Sequence, residues 1–232
     1  MSDLSTRRSF IRQSAALGAG LFLAPHLRAQ GSNEAVRVGV IGLRGRGGGL
    51  MNEVLRTKNA RLVALCDVDP SVLDARVAAV EKKGHKVSRW KDFRKLCESN
   101  EIDAVVVATP NHLHTIIGMT AAANGKHAYV EKPVSQNVRE GQLLAEAQEK
   151  TGVIIQHGFQ RRSEHAWRDA FEWLNGGPIG KLKVARGFCY KPRKSIGKVK
   201  GAQVAPEGLD YNLWCGPRQM EPIMLKRFHD DW

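Results

Sequence analysis

The sequence predicts an α/β fold built on a parallel β-sheet. Between residue 36 and about residue 158, short runs rich in Val, Ile and Ala alternate with helical patterns. Such runs are typical of strands buried on both faces, and strands that alternate with helices form parallel sheets with right-handed crossovers. The first run, 36–41, ends in the glycine-rich stretch 42–49. A strand that ends in glycines and leads into a helix can bring backbone N–H groups up to a bound phosphate.

The elements of this region follow in a regular order. Strands are predicted over 36–41, 61–66, 103–108, 127–130 and 153–157, with a weaker strand at 86–89. The helices predicted between them cover 45–57, 70–83, 91–99, 112–124 and 137–151. Asn124 and Gly125 predict a helix C-cap. Asn137, with Glu140 three residues later, resembles a capping box.

The pattern changes after residue 158. A helix is predicted over 162–175, and the alternating stretch 180–190 predicts a strand with one buried face. Residues 191–222 are rich in Pro, Gly and Lys and predict an extended loop. One helix and one strand are too little for an independent core. We therefore expect residues 159–232 to be the incomplete start of a second domain, and the chain to be the front half of a longer protein.

The first 29 residues resemble an export signal. Arg7 and Arg8, followed by Phe10, form a twin-arginine pattern, and an apolar stretch of small residues covers 15–24. That stretch is too short and too rich in glycine to span a bilayer stably. We expect recognition by the twin-arginine translocase, cleavage after Ala29 and a periplasmic location. A disordered basic tail or an uncleaved anchor is the alternative.

Charge and cysteine content narrow the function classes. The chain carries a formal net charge of +13, but its Lys and Arg residues are scattered without interleaved aromatic residues, which argues against nucleic-acid binding. A basic surface of this kind attracts an anionic cofactor or substrate. The spacing of Cys66, Cys97, Cys189 and Cys215 fits neither a metal site nor a redox pair. We expect reduced, mostly buried thiols and no bound metal.

The glycine turn departs from the usual dinucleotide fingerprint at one position. Gly42 and Gly47 fit its first and third glycines, whereas Arg44 stands at the second. A residue with a Cβ there keeps the backbone farther from a pyrophosphate. The arginine side chains of the turn are long enough to reach a phosphate. The predicted cofactor residues of the turn are Gly42, Leu43, Arg44, Gly45, Arg46 and Gly47.

Asp67 follows the second predicted strand, about 25 residues after the glycine turn. In dinucleotide folds, an acid at this place accepts hydrogen bonds from ribose hydroxyls and repels a 2′-phosphate, which favours NAD over NADP. The arginines of the turn would favour the opposite choice, so NADP stays possible. Alternatively, Asp67 caps the helix over 70–83.

Four blocks, in this order, resemble the glucose–fructose oxidoreductase and inositol dehydrogenase (Gfo/Idh/MocA) family. They are the glycine turn, Asp67, residues 108–114 (ATPNHLH) and residues 131–133 (EKP). Residues 156–162 and 210–217 resemble the branch of that family exported by the twin-arginine route. The resemblance implies a Rossmann-type nucleotide domain over 35–158. It also implies a second domain with an open, mostly antiparallel sheet, which forms the floor of the substrate site and often a homo-oligomer interface.

The resemblance also implies roles for individual residues. Lys132 would be the central catalytic residue and would exchange a proton with a substrate hydroxyl. Gln160 and Arg161 would face the substrate, with Asp210 and Trp214 at its rim. The expected contacts on the nicotinamide side of the cofactor are Thr109, Pro110, Asn111, His114, Glu131 and Lys132. The structural alternatives are a strand–helix turn capped by Asn111, a surface pair of Glu131 and Lys132, and an exposed helix start after residue 159. For Asp210 and Trp214 the alternative is a loop packed onto the core.

Together these observations predict an NAD(P)-dependent oxidoreductase that acts on a sugar, a polyol or a related carbohydrate. Hydride would move between the substrate and the nicotinamide ring. Free NAD(P) is scarce outside the cytoplasm, so an exported enzyme would hold its cofactor tightly. One alternative is a glycoside hydrolase of the same family that uses bound NAD. The other is a truncated nucleotide-binding remnant without catalysis.

Overall fold

The computed structural model describes residues 35–190, 192 and 195–229. The predicted export signal, residues 1–29, lies outside this part of the chain. The strands are β1 (Val36–Ile41), β2 (Ala60–Cys66), β3 (Ser88–Trp90), β4 (Ala104–Val107), β5 (His127–Val130) and β6 (Ile155–His157). The α-helices are α1 (Gly45–Arg56), α2 (Pro70–Glu81), α3 (Phe93–Glu98), α4 (Asn111–Ala123), α5 (Val138–Thr151), α6 (His165–Asn175) and α7 (Tyr211–Cys215). A short 3₁₀ helix, Gln160–Ser163, precedes α6.

The six strands form one parallel sheet with the order β3-β2-β1-β4-β5-β6. This is the strand order of doubly wound dinucleotide-binding folds. The chain changes direction across the sheet between β1 and β4, and ligands of such sheets bind outside the carboxyl ends of the strands at that point. The predicted parallel α/β sheet is confirmed.

Apolar side chains cover both faces of the sheet. On one face, Val105 and Val107 of β4 belong to a buried cluster with α3 and α4. On the other face, Val38 and Val40 of β1 belong to a cluster with α1 and α2. Because both faces are buried at the centre of the sheet, β4 (AVVV) is a continuous apolar run rather than an alternating one.

Local capping fixes where the helices begin and end. Asp69 caps α2 by accepting from the Ser71 backbone N–H (2.9 Å), so Asp67 is not the cap of this helix. One half of the predicted capping box is confirmed at α5, where Asn137 Oδ1 accepts from the Glu140 backbone N–H (3.0 Å). The Glu140 carboxylate accepts from the backbone N–H of Gln136 (3.2 Å) instead of that of Asn137. The predicted cap of α4 is also confirmed, since Asn124 is its C-cap and Gly125 follows with a φ of 69°.

The predicted strand over 180–190 is wrong. Residues 181–190 form no regular element, and all are exposed, including Leu182, Val184 and Phe188. No strand in the described part of the chain pairs with them, and an unpaired strand leaves its backbone groups without partners. The predicted loop over 191–222 contains α7, which the sequence pattern does not indicate. The division into domains at residue 158 stays a prediction.

The four cysteines are free thiols. Cys66, Cys97 and Cys215 are buried, and Cys189 is exposed. Burial raises the pKa of Cys97 to about 12, so this thiol stays protonated and unreactive at neutral pH. Within the described residues, no helix is both long enough and apolar enough to span a bilayer.

Two neighbouring isoleucines of α4 test the packing of the sheet against this helix. Ile117 is fully buried in the core, whereas Ile116 is 39% exposed. We expect Ile117→Ala to lower the free energy of unfolding by about 2–5 kcal/mol, because it leaves a cavity. Ile116→Ala makes the same change in helix propensity and should cost less than about 1 kcal/mol. Urea unfolding would measure both. Equal losses would contradict the packing described here.

Candidate active site

The turn between β1 and α1 has no room for side chains at two positions. Gly42 has a φ of +83°, and a Cβ there would lie 2.8 Å from the carbonyl carbon and oxygen of Ala108. A Cβ on Gly47 would overlap the carbonyl oxygen of Gly42. The turn therefore packs directly on the end of β4, which glycine alone permits.

Arg44, at the place of the second fingerprint glycine, lies in an extended conformation (φ −84°) that any residue adopts. Its side chain is exposed, and it forms no side-chain cap on α1. The next residue, Gly45, has a φ of +41° and open space around its Cβ position. The first N–H groups of α1 are thus without a side-chain cap, and such groups suit an anionic ligand.

Asp67 ties the end of β2 to the glycine turn. Its Oδ2 accepts from the backbone N–H of Leu43 (2.8 Å), and its Oδ1 accepts from the backbone N–H of Asp69 (3.0 Å). Burial raises the pKa of the Asp67 carboxyl above its ordinary value, and these two hydrogen bonds partly oppose the rise. The carboxylate is therefore held in one orientation between the glycine turn and the loop after β2.

The loop after β4 carries two buried polar groups. Thr109 Oγ1 is buried and has no hydrogen-bond partner among the described residues. His114, in the first turn of α4, is 1% exposed. Its Nδ1 lies 2.6 Å from the carbonyl oxygen of Pro133, and its Nε2 lies 2.9 Å from the carbonyl oxygen of Thr109. The ring therefore bridges the loops that follow β4 and β5.

The end of β5 carries a buried acid and an exposed lysine. Glu131 is 3% exposed and accepts from Arg46 Nε (2.8 Å). This hydrogen bond raises the pKa of the Arg46 guanidinium, so Arg46 stays charged where it contacts Glu131. Lys132 follows with an exposed side chain, and its backbone N–H donates to Glu131 Oε2 (3.2 Å). The ion-pair partner of Glu131 is thus Arg46 and not the adjacent lysine.

These loops surround a cavity of about 510 Å³. Its volume is typical of sites for small molecules and cofactors. The predicted site residues that line it are Gly42, Leu43, Arg44, Gly45, Arg46, Asp67, Thr109, Pro110, Asn111, His114, Glu131, Lys132, Gln160 and Trp214.

Three predicted site residues do not line this cavity. Gly47 lies behind the turn, against Gly42. Arg161 is exposed and pairs with Glu164 (2.8 Å). Asp210 accepts from the Leu213 backbone N–H (3.0 Å) and so caps α7.

The cavity also includes residues that the sequence analysis does not single out. They are Ile41, Cys66, Val68, Lys91, Phe93, Ala108, Leu113, Ile117, Leu213 and His229. Ile41 and Cys66 are the last residues of strands, so their position in the pattern was a usable signal. His229 had no such signal, because it reaches the site from a segment distant in the sequence.

The family of the chain follows from comparison with known proteins. Residues 36–159 match the family profile described as Gfo/Idh/MocA, an oxidoreductase family with an NAD-binding Rossmann fold. The chain belongs to the Gfo/Idh/MocA family. The matched region holds the glycine turn, Asp67 and Lys132, so it covers most of the cavity described above.

Relatives of this Gfo/Idh/MocA protein include inositol dehydrogenases and glycosyl hydrolase family 109 proteins. The scyllo-inositol 2-dehydrogenase (NAD(+)) of Bacillus subtilis is 37% identical over 66% of this chain and 44% of that protein. A glycosyl hydrolase family 109 protein of Saccharopolyspora erythraea is 34% identical over 65% of this chain and 38% of that protein. The structure also resembles scyllo-inositol dehydrogenase from Lactobacillus casei with bound NAD(H) and scyllo-inositol (TM-score 0.58, 25% identity, 63% of this chain and 43% of that one). The chain spans less than half the length of these relatives.

The cavity residues fit a nicotinamide dinucleotide. The glycine turn and the uncapped start of α1 can hold a pyrophosphate, and Asp67 can accept from ribose hydroxyls. The buried hydroxyl of Thr109 offers a hydrogen bond that no described residue takes up. Among the described residues, no group of three or more His, Cys, Asp or Glu side chains is placed to hold a metal ion.

Two glycines of α1 test the steric requirement of the turn. We expect Gly47→Ala to weaken NAD binding at least tenfold and to destabilise the fold by about 1–3 kcal/mol, because its Cβ would overlap the Gly42 carbonyl oxygen. A Cβ at Gly49 would meet no atom nearer than 3.9 Å. Gly49→Ala should thus leave NAD binding unchanged and stabilise the helix by about 0.5–1 kcal/mol. NAD titration and urea unfolding would measure both effects. A Gly47→Ala protein that binds NAD normally would contradict this geometry.

Asp67 should make NAD binding sensitive to acid. Its raised pKa means that the carboxylate is lost, on acidification, at a higher pH than the ordinary aspartate value of about 3.9. We expect NAD affinity to fall about tenfold or more as the pH drops towards that range, because an ionised acceptor is lost. Asp67→Asn should bind NAD weakly at all these pH values. An equal acid-induced fall in Asp67→Asn would assign the effect to a neighbouring carboxyl such as that of Asp69.

Proposed function

We propose that this protein is an NAD(P)-dependent oxidoreductase acting on a sugar, a polyol or a related carbohydrate. One observation carries the proposal: Lys132 lies in the same cavity as the glycine turn and Asp67. A proton-exchanging side chain is thus next to the place where a dinucleotide fits. The named inositol dehydrogenases among the relatives support a polyhydroxylated substrate.

In this reaction, Lys132 exchanges a proton with the substrate hydroxyl group. Oxidation of a carbinol breaks one C–H and one O–H bond, and the hydroxyl proton needs an acceptor. The Lys132 amine takes that proton in oxidation and returns it in reduction. Held by the glycine turn and Asp67, bound NAD would supply the hydride acceptor for oxidation and, as NADH, the hydride donor for reduction.

The surroundings of Lys132 keep its backbone in place. The Glu131 carboxylate accepts two hydrogen bonds, one from the backbone N–H of Lys132 and one from Arg46 Nε. His114 contacts the carbonyl oxygen of the next residue, Pro133. Gln160 lines the same cavity, and its amide suits the hydroxyl groups of a carbohydrate.

Asp67, directly after β2, favours NAD over NADP as the cofactor. Asp67 presents a negative charge where a 2′-phosphate would bind, so NADP would meet repulsion there.

We also propose that the protein is exported by the twin-arginine translocase to the periplasm with its cofactor tightly held. The twin-arginine pattern at the start of the sequence supports this, as does its resemblance to the exported branch of the family. A homo-oligomer built on the second domain completes the proposal.

A second candidate is a glycoside hydrolase that uses bound NAD. Several relatives are named glycosyl hydrolase family 109 proteins, among them those of Saccharopolyspora erythraea and Solibacter usitatus. In this reaction, the sugar is oxidised transiently to a ketone, elimination breaks the glycosidic bond and releases the aglycone, water adds to the resulting double bond, and the ketone is reduced again. The NAD therefore shows no net change.

Lys132→Met in the complete protein tests the proposed role. We expect turnover to fall at least a hundredfold, because the hydroxyl proton loses its acceptor, while NAD affinity changes less than about threefold. Lys150→Met, at an exposed lysine in the last turn of α5, is the matched control and should keep full activity. Turnover would be followed as NADH formation with inositols and aldoses. Unchanged turnover in Lys132→Met would overturn the assignment.

The same assay separates the two candidate reactions. Each sugar is supplied free and as a glycoside with a chromogenic aglycone. NADH formation from the free sugar supports the oxidoreductase. Release of the aglycone without net NADH supports the hydrolase.

A further inference from the structure

Residues 206–229, here called the cover segment, lie against three loops at the carboxyl edge of the sheet. The Asp210 backbone N–H donates to the carbonyl oxygen of Val68 (3.3 Å), in the loop after β2. Lys91, directly after β3, donates from Nζ to the carbonyl oxygen of Gly208 (3.4 Å). His112, at the start of α4, bonds through Nε2 to the carbonyl oxygen of Trp214 (2.8 Å). The segment therefore spans from the β2 side of the sheet to the β4 side.

The cover segment is packed within itself as well. The Trp214 ring lies 5.8 Å from that of Tyr211 and 4.8 Å from that of Phe228, measured between centroids. Cys215 is 2% exposed, and the Tyr211 hydroxyl donates to the carbonyl oxygen of Glu221 (2.8 Å). The segment is thus a small folded unit with its own aromatic packing.

A hydrogen bond to a buried carboxylate holds the end of this segment. His229 Nε2 lies 2.8 Å from Oδ2 of Asp69, which is 2% exposed. Asp69 also caps α2, and its backbone N–H donates to Asp67 Oδ1 (3.0 Å). Burial raises the pKa of Asp69, but hydrogen bonds from Ser71 and His229 outweigh it, and the net pKa is below the ordinary value. Asp69 is therefore ionised at neutral pH, and the His229 Nε2 carries the donated proton.

The cover segment also forms part of the cavity wall. Leu213, Trp214 and His229 line the same cavity as Asp67. The contacts named above reach the loops after β2 and β3 and the start of α4. The acid after the second strand of a dinucleotide fold binds the adenosine ribose. The His229 end of the segment thus stands beside Asp67, at the adenosine end of the site, whereas Trp214 lies against His112 of α4.

We infer that the cover segment encloses the adenosine half of the bound dinucleotide, and that the His229–Asp69 contact keeps it closed over the cofactor. The inference rests on the cofactor role of the cavity in the proposed function and extends it. The segment must leave the β2 loop before the dinucleotide can enter or dissociate. Loss of His229 would remove a charge-assisted hydrogen bond from the closed state and leave Asp69 without this partner.

The rate of cofactor release tests this inference without any turnover. NADH bound to the complete protein is chased with excess NAD in a stopped-flow fluorimeter. We expect NADH to dissociate about tenfold faster or more from His229→Ala than from the wild type. His229→Gln keeps an N–H donor and should restore part of the slow release. His165→Ala, at an exposed histidine that begins α6, is the matched control and should release NADH at the wild-type rate.

Hydrogen exchange of the wild-type protein gives a second readout, which holds even if His229→Ala fails to fold. ADP-ribose should slow exchange of the Asp210 amide, which donates to the Val68 carbonyl oxygen in the loop after β2, whereas nicotinamide mononucleotide should leave it unchanged. Equal NADH release from wild type and His229→Ala, or no protection by ADP-ribose, overturns the inference. If NADH does not bind at all, the inference and the cofactor role fall together. If NADH binds and is released as expected but no carbohydrate is oxidised, the proposed function alone fails.

Discussion

The arrangement of the site depends on a steric constraint where β1 turns into α1. The backbone of Gly42 packs so closely on the end of β4 that a Cβ would meet the Ala108 carbonyl group. Gly47 then folds back onto Gly42, so the start of α1 is set at a fixed place relative to two strands. The N–H of Leu43, inside this turn, holds the Asp67 carboxylate. One close contact between backbones thus positions the phosphate-binding turn, the ribose acid and the loop after β4 together.

Buried polar residues also fix the loops on the Lys132 side of the cavity. Glu131 joins the end of β5 to Arg46 in the first turn of α1, although β4 lies between their strands. His114 joins the loop after β4 to Pro133. Each of these groups would be costly to bury without its partners, so the loops favour a single arrangement. The backbone of Lys132 lies between these two contacts and is oriented before any substrate arrives.

Much of this fold was readable from the sequence, because it depends on local patterns. A buried strand, a helix cap such as Asn137 and the glycines of the turn can each be recognised from a stretch of only a few residues. The partner of Glu131 was not readable, since Arg46 lies 85 residues away and nothing local selects it. The alternation over 180–190 shows which side chains share a face, but it cannot show that a neighbouring strand is present. The contact of His229 with Asp69 spans 160 residues and likewise leaves no mark in the local pattern.

A cavity assembled from several separate loops has a thermodynamic consequence. Its lining comes from the ends of β1, β2, β4 and β5, whose neighbourhood exists only in the folded sheet. The unfolded chain offers no equivalent site, so any occupant adds its binding free energy to the native state by mass action. At a hundred times its dissociation constant, that contribution is about 2.7 kcal/mol, a sizeable share of the stability of an ordinary domain. The resistance of this protein to heat and proteolysis would therefore vary with its supply of dinucleotide.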